Sequence, residues 1–330
     1  MINIITEKSI LEMPIDTATE GRIQGLLGVH TSPFHADDVF AVAALAIIWP
    51  NFQVVQTRNP VVLARCEIVV DVGGVYDPDI LRFDHHQKGG AGTRNNHVPY
   101  ASIGLIWKHF ALKIISTIVP ANKLLDVKRV AAAVDRSLIQ SLDAIDNGYN
   151  GPGENVYTVS RAISSYNPAW NDDQPPQVWE VQFAEAVQMA RTILWNEIRR
   201  QAADVAAITT IEEALENRAH DHLLILDRFM PWQNTVLSSE NADDVEFVIF
   251  PDKGGDYRLV TVPISKDDMF TPRKPLPASW AGLEGAALEQ ACGVEGATFC
   301  HNGRFVAGAK NYIGVLQMSL KAHEEGLVPS

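Results

Sequence analysis

Imidazole and carboxylate side chains recur in this sequence at points where the chain changes direction. The most compact instance is Phe83-Asp84-His85-His86-Gln87. Upstream, His30, His35, Asp37 and Asp38 fall within nine residues, and Asp71 lies near the end of the apolar run Cys66–Val72. Downstream, Asp143 and Asp146 are one helical turn apart, which sets both on one face of a helix. Taken singly, each segment has a plain reading. The two histidines pack a loop, Asp37 or Asp38 caps a helix, and Asp71 is a turn residue before Gly73-Gly74. Asp84-His85-His86 is a surface loop, and Asp143 and Asp146 are a solvated pair. Taken together, four segments each offer oxygen or imidazole nitrogen near an expected strand end or helix start. That is the donor set of a hydrolytic site holding two divalent cations. Neighbouring side chains on extended backbone point opposite ways, so one of His85 and His86 could bind metal while the other faces a substrate.

The elements that must position these residues can be read from the hydrophobic pattern. Ile23 to Val29 reads as a buried strand running into His30. Val39 to Trp49 reads as a helix stopped by Pro50, and Phe52–Thr57 and Cys66–Val72 as two further strands. Ala101–Thr117 and Asp126–Asp146 read as helices, and Asn150–Glu154 as a turn cluster. Strands alternating with helices, with polar residues at strand C-termini, predict an α/β fold with an open, mostly parallel sheet and flanking helices. Ser164–Pro176 reads as a loop and Val178–Ala207 as one long connecting helix. Beyond it a smaller α+β domain is expected. Its strands are Leu223–Leu226, Val245–Phe250 and Tyr257–Pro263, with a hairpin turn at Lys253–Asp256 and an extended loop at Thr271–Pro277. A helix over Gly282–Cys292, a hairpin around Asn302-Gly303 and a closing helix over Tyr312–His323 complete it. The division predicted is an N-terminal edge or mobile segment at 1–21, a metal-binding catalytic domain at 22–176, the connecting helix at 177–207 and a substrate-binding domain at 208–330.

Charge narrows the partners. Of the formal net charge of −13, residues 1–150 carry 15 acids against 13 bases, and the remainder 25 against 14. An acidic second half argues against wrapping a long duplex, which needs a basic face. A short single strand or a small phosphate ester, gripped by a few local cations, remains compatible. No apolar run approaches the ~20 residues that span a bilayer, so no membrane partner is expected, while a homo-oligomer is left open. Glu7, Glu12, Asp16 and Glu20 make the first 21 residues unlike a signal or transit peptide. Cys66, Cys292 and Cys300 lack metal-type spacing and read as reduced thiols of a cytoplasmic protein.

The order of these motifs resembles the DHH phosphoesterase superfamily, and more closely its melanocyte-proliferating-gene branch, long labelled metal-dependent protein hydrolases. The resemblance rests on Gly28-Val-His-Thr-Ser-Pro-Phe-His-Ala-Asp-Asp38, Val69-Val-Asp-Val-Gly-Gly74, Phe83-Asp-His-His-Gln87, Ala101-Ser-Ile-Gly-Leu105 and Asp143-Ala-Ile-Asp-Asn-Gly148. Softer matches at Asn167-Pro-Ala-Trp170, Pro277-x-x-Trp280-x-Gly-Leu283 and Phe305-x-x-Gly308 extend it over nearly the whole chain. It implies a DHH-type phosphoesterase with two divalent cations, Mn²⁺ or else Mg²⁺. His30, His35 and Asp71 would hold one cation; Asp37, Asp71, His85 and one of Asp143 and Asp146 the other. Asp146 is the preferred ligand, since its Asp-Asn-Gly sits like the superfamily's Asp-Thr. His86, Asp84 and Asp38 would serve catalysis, with His86 facing the phosphate and Asp84 orienting a histidine. Arg304, Lys310, His301, Arg161 and Lys274, with Arg273, are candidate substrate contacts. The activity implied is a 3′–5′ exonuclease on RNA or short oligonucleotides, through a hydroxide activated by two metals. A small-molecule phosphatase or pyrophosphatase, and a metal-binding protein without activity, are the alternatives. Two departures stand out: His30-x4-His35-x-Asp37 replaces the usual His-x3-Asp-x-Asp, and Gly308-Ala309-Lys310 stands where exonucleases of the superfamily carry Gly-Gly-His.

Overall fold

The computed structural model describes residues 2–15, 19, 21–120, 125–149, 156–172 and 174–325. The chain forms two compact units, residues 1–203 and 204–330. The expected turn cluster at Asn150–Glu154 lies outside the described residues.

The first unit is built on a six-stranded sheet. In chain order its elements are β1 (Asn3–Ile4), α1 (Glu7–Glu12), β2 (Ile23–Val29), α2 (Ala36–Ile48), β3 (Gln53–Gln56), α3 (Pro60–Arg65) and β4 (Cys66–Val70). There follow β5 (Tyr76–Asp77), β6 (Arg82–Phe83), α4 (Ser102–Ile118), α5 (Val127–Val134), α6 (Gln140–Asp146) and α7 (Val159–Ser164). The strand order is β1-β3-β2-β4-β6-β5, and every pairing is parallel except β5 with β6. The three strands read from periodicity are the central ones. The pattern misses β1, β5 and β6 because two residues carry no period, and β1 gives the N-terminal segment the edge position expected for it. Ile10 of α1 and Val62 and Leu63 of α3 pack with Leu26, Val55, Cys66 and Val69 on one side of the sheet. Gly28 belongs to this packing: a Cβ there would lie 2.9 Å from the Cys66 Sγ. The expected helix over Asp126–Asp146 is interrupted by a π-helical turn at Asp135–Ile139 that joins α5 to α6.

Helix α8 runs from Pro176 to Glu216, 41 residues, and the boundary between the units falls within it. It is longer at both ends than its apolar stripe suggested. The second unit holds a five-stranded sheet of β7 (Leu223–Ile225), β8 (Phe247–Pro251), β9 (Tyr257–Thr261), β10 (Ala297–Cys300) and β11 (Val306–Ala309). The order is β10-β11-β9-β8-β7, antiparallel except for β7 with β8. Between β7 and β8 lies the short helix α9 (Gln233–Val236); α10 (Gly285–Cys292) precedes β10, and α11 (Tyr312–Glu324) follows β11. One face of this sheet buries Phe247, Ile249, Leu259 and Ala307 with Leu288, Val315 and Met318 of α10 and α11. The other buries Leu224, Val248 and Val262 with Ala207, Ile211 and Leu215 of α8. In the β10–β11 hairpin the left-handed position is taken by Arg304, φ 57°, rather than by Gly303.

Candidate metal centre

Three adjacent parallel strands end side by side, and each hands the chain to a candidate ligand. Gly28 pairs with Val69 and Val70 with Phe83, so His30 after β2, Asp71 after β4 and Asp84-His85 after β6 arrive at one level. This is the crevice outside the carboxyl ends of an open α/β sheet, where such folds bind ligands. The N-termini of α2 and α4 add to it. Asp37 and Asp38 occupy the first turn of α2, and the Ser102 amide at the start of α4 donates to Asp37 Oδ2 at 3.3 Å. The helix ends thus bring positive dipole to a crowd of carboxylates.

Asp71 is the centre of the arrangement. It is 2 % exposed, and its backbone is left-handed at φ 58°, a region Asp tolerates better than most residues. Its carboxylate is divided: Oδ2 lies 3.1 Å from His30 Nε2, and Oδ1 lies 3.2 Å from His85 Nε2 and accepts from the Ser102 hydroxyl at 3.0 Å. His85 Nε2 also lies 3.2 Å from Asp146 Oδ2 and 3.8 Å from Asp37 Oδ2. One carboxylate thus serves two imidazoles, and the second imidazole faces two further carboxylates. His30 Nδ1 donates to the Thr31 carbonyl at 2.5 Å, which turns Nε2 inward, the tautomer control common behind metal-binding histidines. Asp38 accepts from the His35 amide at 2.9 Å through Oδ1, and its Oδ2 sits 3.0 Å from His30 Nε2, so it braces both the loop and the ring.

The Asp84-His85-His86 turn is wound around one carboxylate. Asp84 Oδ1 accepts from the His85 amide at 2.7 Å, the His86 amide at 3.1 Å and His86 Nδ1 at 2.7 Å, while Oδ2 accepts from the Gly74 amide at 2.5 Å. The His86 side chain is 61 % exposed, whereas that of His85 is 8 % exposed. The two neighbours differ in exposure but do not point opposite ways as alternation on extended backbone predicts. Their ring centroids are 4.3 Å apart, and His86 Nδ1 lies 3.6 Å from Asp71 Oδ1, because the turn around Asp84 draws both rings to one side.

The donors fit divalent cations. Three groups bring one ligand atom from each of three residues within 4.8 Å of one another: His30, His35 and Asp71; Asp71, His85 and His86; His35, Asp37 and Asp146. Asp37 Oδ1 is buried without a hydrogen-bond partner, and Asp38 Oδ2 and His85 Nε2 are buried with only the imidazole–carboxylate contacts already described, an expensive state unless a cation meets them. Electrostatics say the same. Burial pushes the Asp37 carboxyl well above its ordinary value, and the charges of Asp71, Asp146 and Asp38 push it further. Burial also raises Asp38, against the pull of His30. Burial opposes the charged form of His30 and His85, yet their aspartates hold both up at about 10, and the two histidines in turn hold Asp71 below the usual carboxylate range. Imidazolium protons thus neutralise the site where cations would displace them.

Of the remaining sequence candidates, Asp143 stands apart from these groups. It is fully buried, bonded to Arg94 Nη1 at 2.6 Å and to the Gly104 amide at 3.0 Å, so it joins α6 to the start of α4 rather than facing the histidines. Arg94 also grips Asp135, at the π-helical turn, at 2.7 and 3.0 Å. Neither Arg94 nor Gly104 stands out in the sequence as a separate site residue; the Ala101-Ser-Ile-Gly-Leu105 motif is the one available signal for the latter. A Cβ on Gly104 would lie 1.9 Å from Asp143 Oδ2, so the carboxylate occupies the space a side chain would take. Asn167, named in the sequence only as part of a softer family match, also supports the site. Its side chain accepts from the Phe34 amide at 3.1 Å and donates to the Phe34 carbonyl at 2.9 Å, clamping the residue before His35.

Arg161 lies in α7 of the first unit, its guanidinium 5.9 Å from the Tyr157 ring centroid. The other substrate candidates belong to the second unit. Lys274 donates to the His323 carbonyl and lies 3.6 Å from Glu246, and Arg273 donates to the carbonyls of Ala242, Asp243 and Val245, so both cations are engaged within that unit. Arg304 meets the Leu276 carbonyl at 3.4 Å, and no carboxylate among the described residues pairs with it or with the exposed Lys310. The His301 ring tilts over Phe305 at 4.4 Å. Among the described residues no helix is long and apolar enough to cross a membrane.

Known proteins add an independent line. Residues 26–322 match the family model MYG1_exonuc, described as "Uncharacterised protein family (UPF0160)". A MYG1 protein of Dictyostelium discoideum is 31% identical over 312 residues, covering 88% of this chain and 94% of its own. The MYG1 exonuclease of Mus musculus is 32% identical over 325 residues, with 89% and 83% covered. A solved structure of RecJ with Mg²⁺ from Thermus thermophilus aligns over 95% of this chain and 52% of its own at 11% identity, but at a TM-score of 0.28 that likeness carries no argument. The family match spans both units and every residue of the strand-end crevice, and the chain belongs to the MYG1 exonuclease family.

Proposed function

We propose that this chain is a divalent-metal-dependent phosphodiesterase that shortens RNA or short oligonucleotides from the 3′ end, with Mn²⁺ as the working metal and Mg²⁺ as a substitute. The observation that carries the reading is the divided carboxylate of Asp71, one oxygen on His30 and the other on His85, with Asp37 and Asp146 facing the second histidine. The names of the mammalian relatives support nuclease chemistry. In this reading His30, His35 and Asp71 hold one cation, and Asp37, Asp71, His85 and Asp146 the other. Bound there, divalent cations supply a water acidic enough to attack at neutral pH and positive charge against the phosphoryl oxygens.

The chain's own residues do the rest. Asp84 fixes the His86 ring through Nδ1, so the exposed imidazole presents Nε2 to a phosphoryl oxygen or leaving group. The Thr31 carbonyl, accepting from Nδ1–H, selects the His30 tautomer that leaves the Nε2 lone pair for a cation, and Asp38 lies beside that nitrogen at 3.0 Å. Arg304 and Lys310, free of carboxylate partners among the described residues, are the cations we assign to substrate phosphates, with His301 and Arg161 as further contacts.

The test is digestion of a 5′-labelled RNA oligomer with Mn²⁺, beside the His85→Ala variant, with metal content measured in both. A ladder of shortened labelled products is expected, with the variant slower by more than the ~10–100-fold typical of losing a group behind a ligand. An intact oligomer in the presence of bound metal would remove the exonuclease reading, and turnover of pyrophosphate or a mononucleotide by the same sample would replace it.

A further inference from the structure

The second unit contains a cavity that the metal chemistry does not use. It has a volume of about 280 Å³ and is lined by Trp232, Gln233, Thr261, Met269, Phe270 and Phe305. Its origin lies in how the second sheet is covered. On the face that packs under α8, Leu224, Val248 and Val262 are buried, but Val260 on β9 is only partly covered. Val260 pairs with Val306 of β11, and this end of the face floors the cavity. Its wall is the loop between Pro263 and Pro272, which close on each other as a bridge.

That loop holds a large aromatic side chain in solvent through the geometry of its turn. Asp268 Oδ1 accepts from the Phe270 amide at 3.1 Å and the Thr271 amide at 3.0 Å, and the Asp268 amide donates to Ser265 Oγ at 3.1 Å. Phe270 is 95 % exposed at the tip. Phe305, 42 % exposed, stands on the β10–β11 hairpin beside Arg304 and under the His301 ring. The side chain of Gln233 makes no hydrogen bond among the described residues, which leaves an amide donor and acceptor at the cavity wall. A largely apolar cavity beside exposed aromatic rings, with one free amide at its wall and Arg304 next in sequence to Phe305, offers what a base attached to a phosphate needs. The rings offer π-faces, the amide can meet a base edge, and the cation can meet the backbone.

We propose that this cavity is a nucleobase-binding subsite, in which Phe270 and Phe305 stack a base of a single-stranded substrate and Gln233 meets its edge. The assignment rests on the nuclease reading for the identity of its ligand, but not for its test. A 5′-fluorescent RNA oligomer and an abasic oligomer of equal length are titrated with the full chain in EDTA, so that neither is cut. The wild-type chain is expected to bind the base-containing strand about five- to hundred-fold more tightly, and Phe270→Ala and Phe305→Ala are each expected to shrink that ratio toward one. Phe270 touches little, so its replacement tests stacking without threatening the fold; Gln233→Ala is expected to reduce the ratio and change which base is preferred. Equal binding of the two strands by the wild-type chain, a ratio that survives both phenylalanine variants, or an equal weakening of both strands would overturn the subsite. So would a variant that lowers the mass in sedimentation while keeping the ratio, since the aromatic tip would then cover a second copy of this chain. Base-dependent binding by a chain that cleaves no RNA would keep the subsite and remove the nuclease reading; cleavage without base dependence would do the reverse.

Discussion

Asp71 carries more of the site than any other residue, because its two oxygens serve different histidines. Asparagine keeps the left-handed backbone accessible and nearly the same shape, so Asp71→Asn removes charge with little else. If the carboxylate bridges, this variant should lose both equivalents of Mn²⁺ after gel filtration, whereas Asp146→Asn should lose about one. Metal content by mass spectrometry decides it: an Asp71→Asn protein retaining one tight equivalent would show that the carboxylate serves a single cation. At this scale much was legible. His30, Asp71 and the Asp84-His85-His86 run are polar residues at the ends of apolar strands, a pattern that a single sequence displays. Spacing alone does not choose between Asp143 and Asp146, since three residues apart both fall on one helix face; the preference for Asp146 comes from the family resemblance. What separates them is a buried arginine that only the folded chain brings to Asp143.

That arginine is where elements become coupled. Arg94 ties the π-helical turn through Asp135 and α6 through Asp143, and Asp143 in turn caps α4 at Gly104. The start of α4 carries Ser102, which bonds Asp71, and the end of α6 carries Asp146. Replacing Arg94 with Leu leaves a fully buried carboxylate without its cation, and such losses cost about 3–5 kcal/mol. Denaturant midpoints should show a loss of that order, and Arg94→Leu/Asp143→Asn should recover much of it. The effect has a pH direction. Burial pushes the Asp143 carboxyl up to about 7 even with Arg94 pulling it down, and without Arg94 it must rise further. A folded-state pKa above the unfolded one favours folding of the protonated form, so stability falls as pH climbs toward it. The two proteins share that fall up to about pH 7 and diverge above it, where the variant alone keeps losing stability. A variant deficit that is no larger at high pH than at low pH would rule this out. Asp143 and the Ala101-Ser-Ile-Gly-Leu105 motif stood out in the sequence, but the arginine that links them did not, because Arg94 sits in a stretch, Gly89 to Pro99, without hydrophobic period, and a tertiary ion pair leaves no periodic trace. By contrast the central strands β2, β3 and β4 and the helices α2 and α4 were read to within a few residues, since burial on one or both faces writes itself into the sequence.

On the scale of the whole molecule, the chain is two units with separate cores, and the candidate ligand groups among the described residues consist of side chains of the first. The carboxylates Asp37, Asp38, Asp71 and Asp146 are held close together, and folding must offset their repulsion with imidazolium charge until cations arrive. Metal binding therefore favours the folded first unit, by about 4 kcal/mol at a thousandfold excess over the dissociation constant. Hydrogen exchange read by mass spectrometry, with Mn²⁺ and with EDTA, can locate that gain along the chain. Peptides from β2, β4 and β6 and the starts of α2 and α4 should exchange more slowly with Mn²⁺, because each ends at or beside a ligand. The Asp143–Asp146 turn of α6 should follow them. Peptides spanning β7 to α11 should be unmoved by the metal alone, since their hydrophobic clusters contain none of its ligands. Equal slowing of both units would mean that the metal acts on folding of the chain as one body, and no slowing at all would mean that the crowded carboxylates do not hold it.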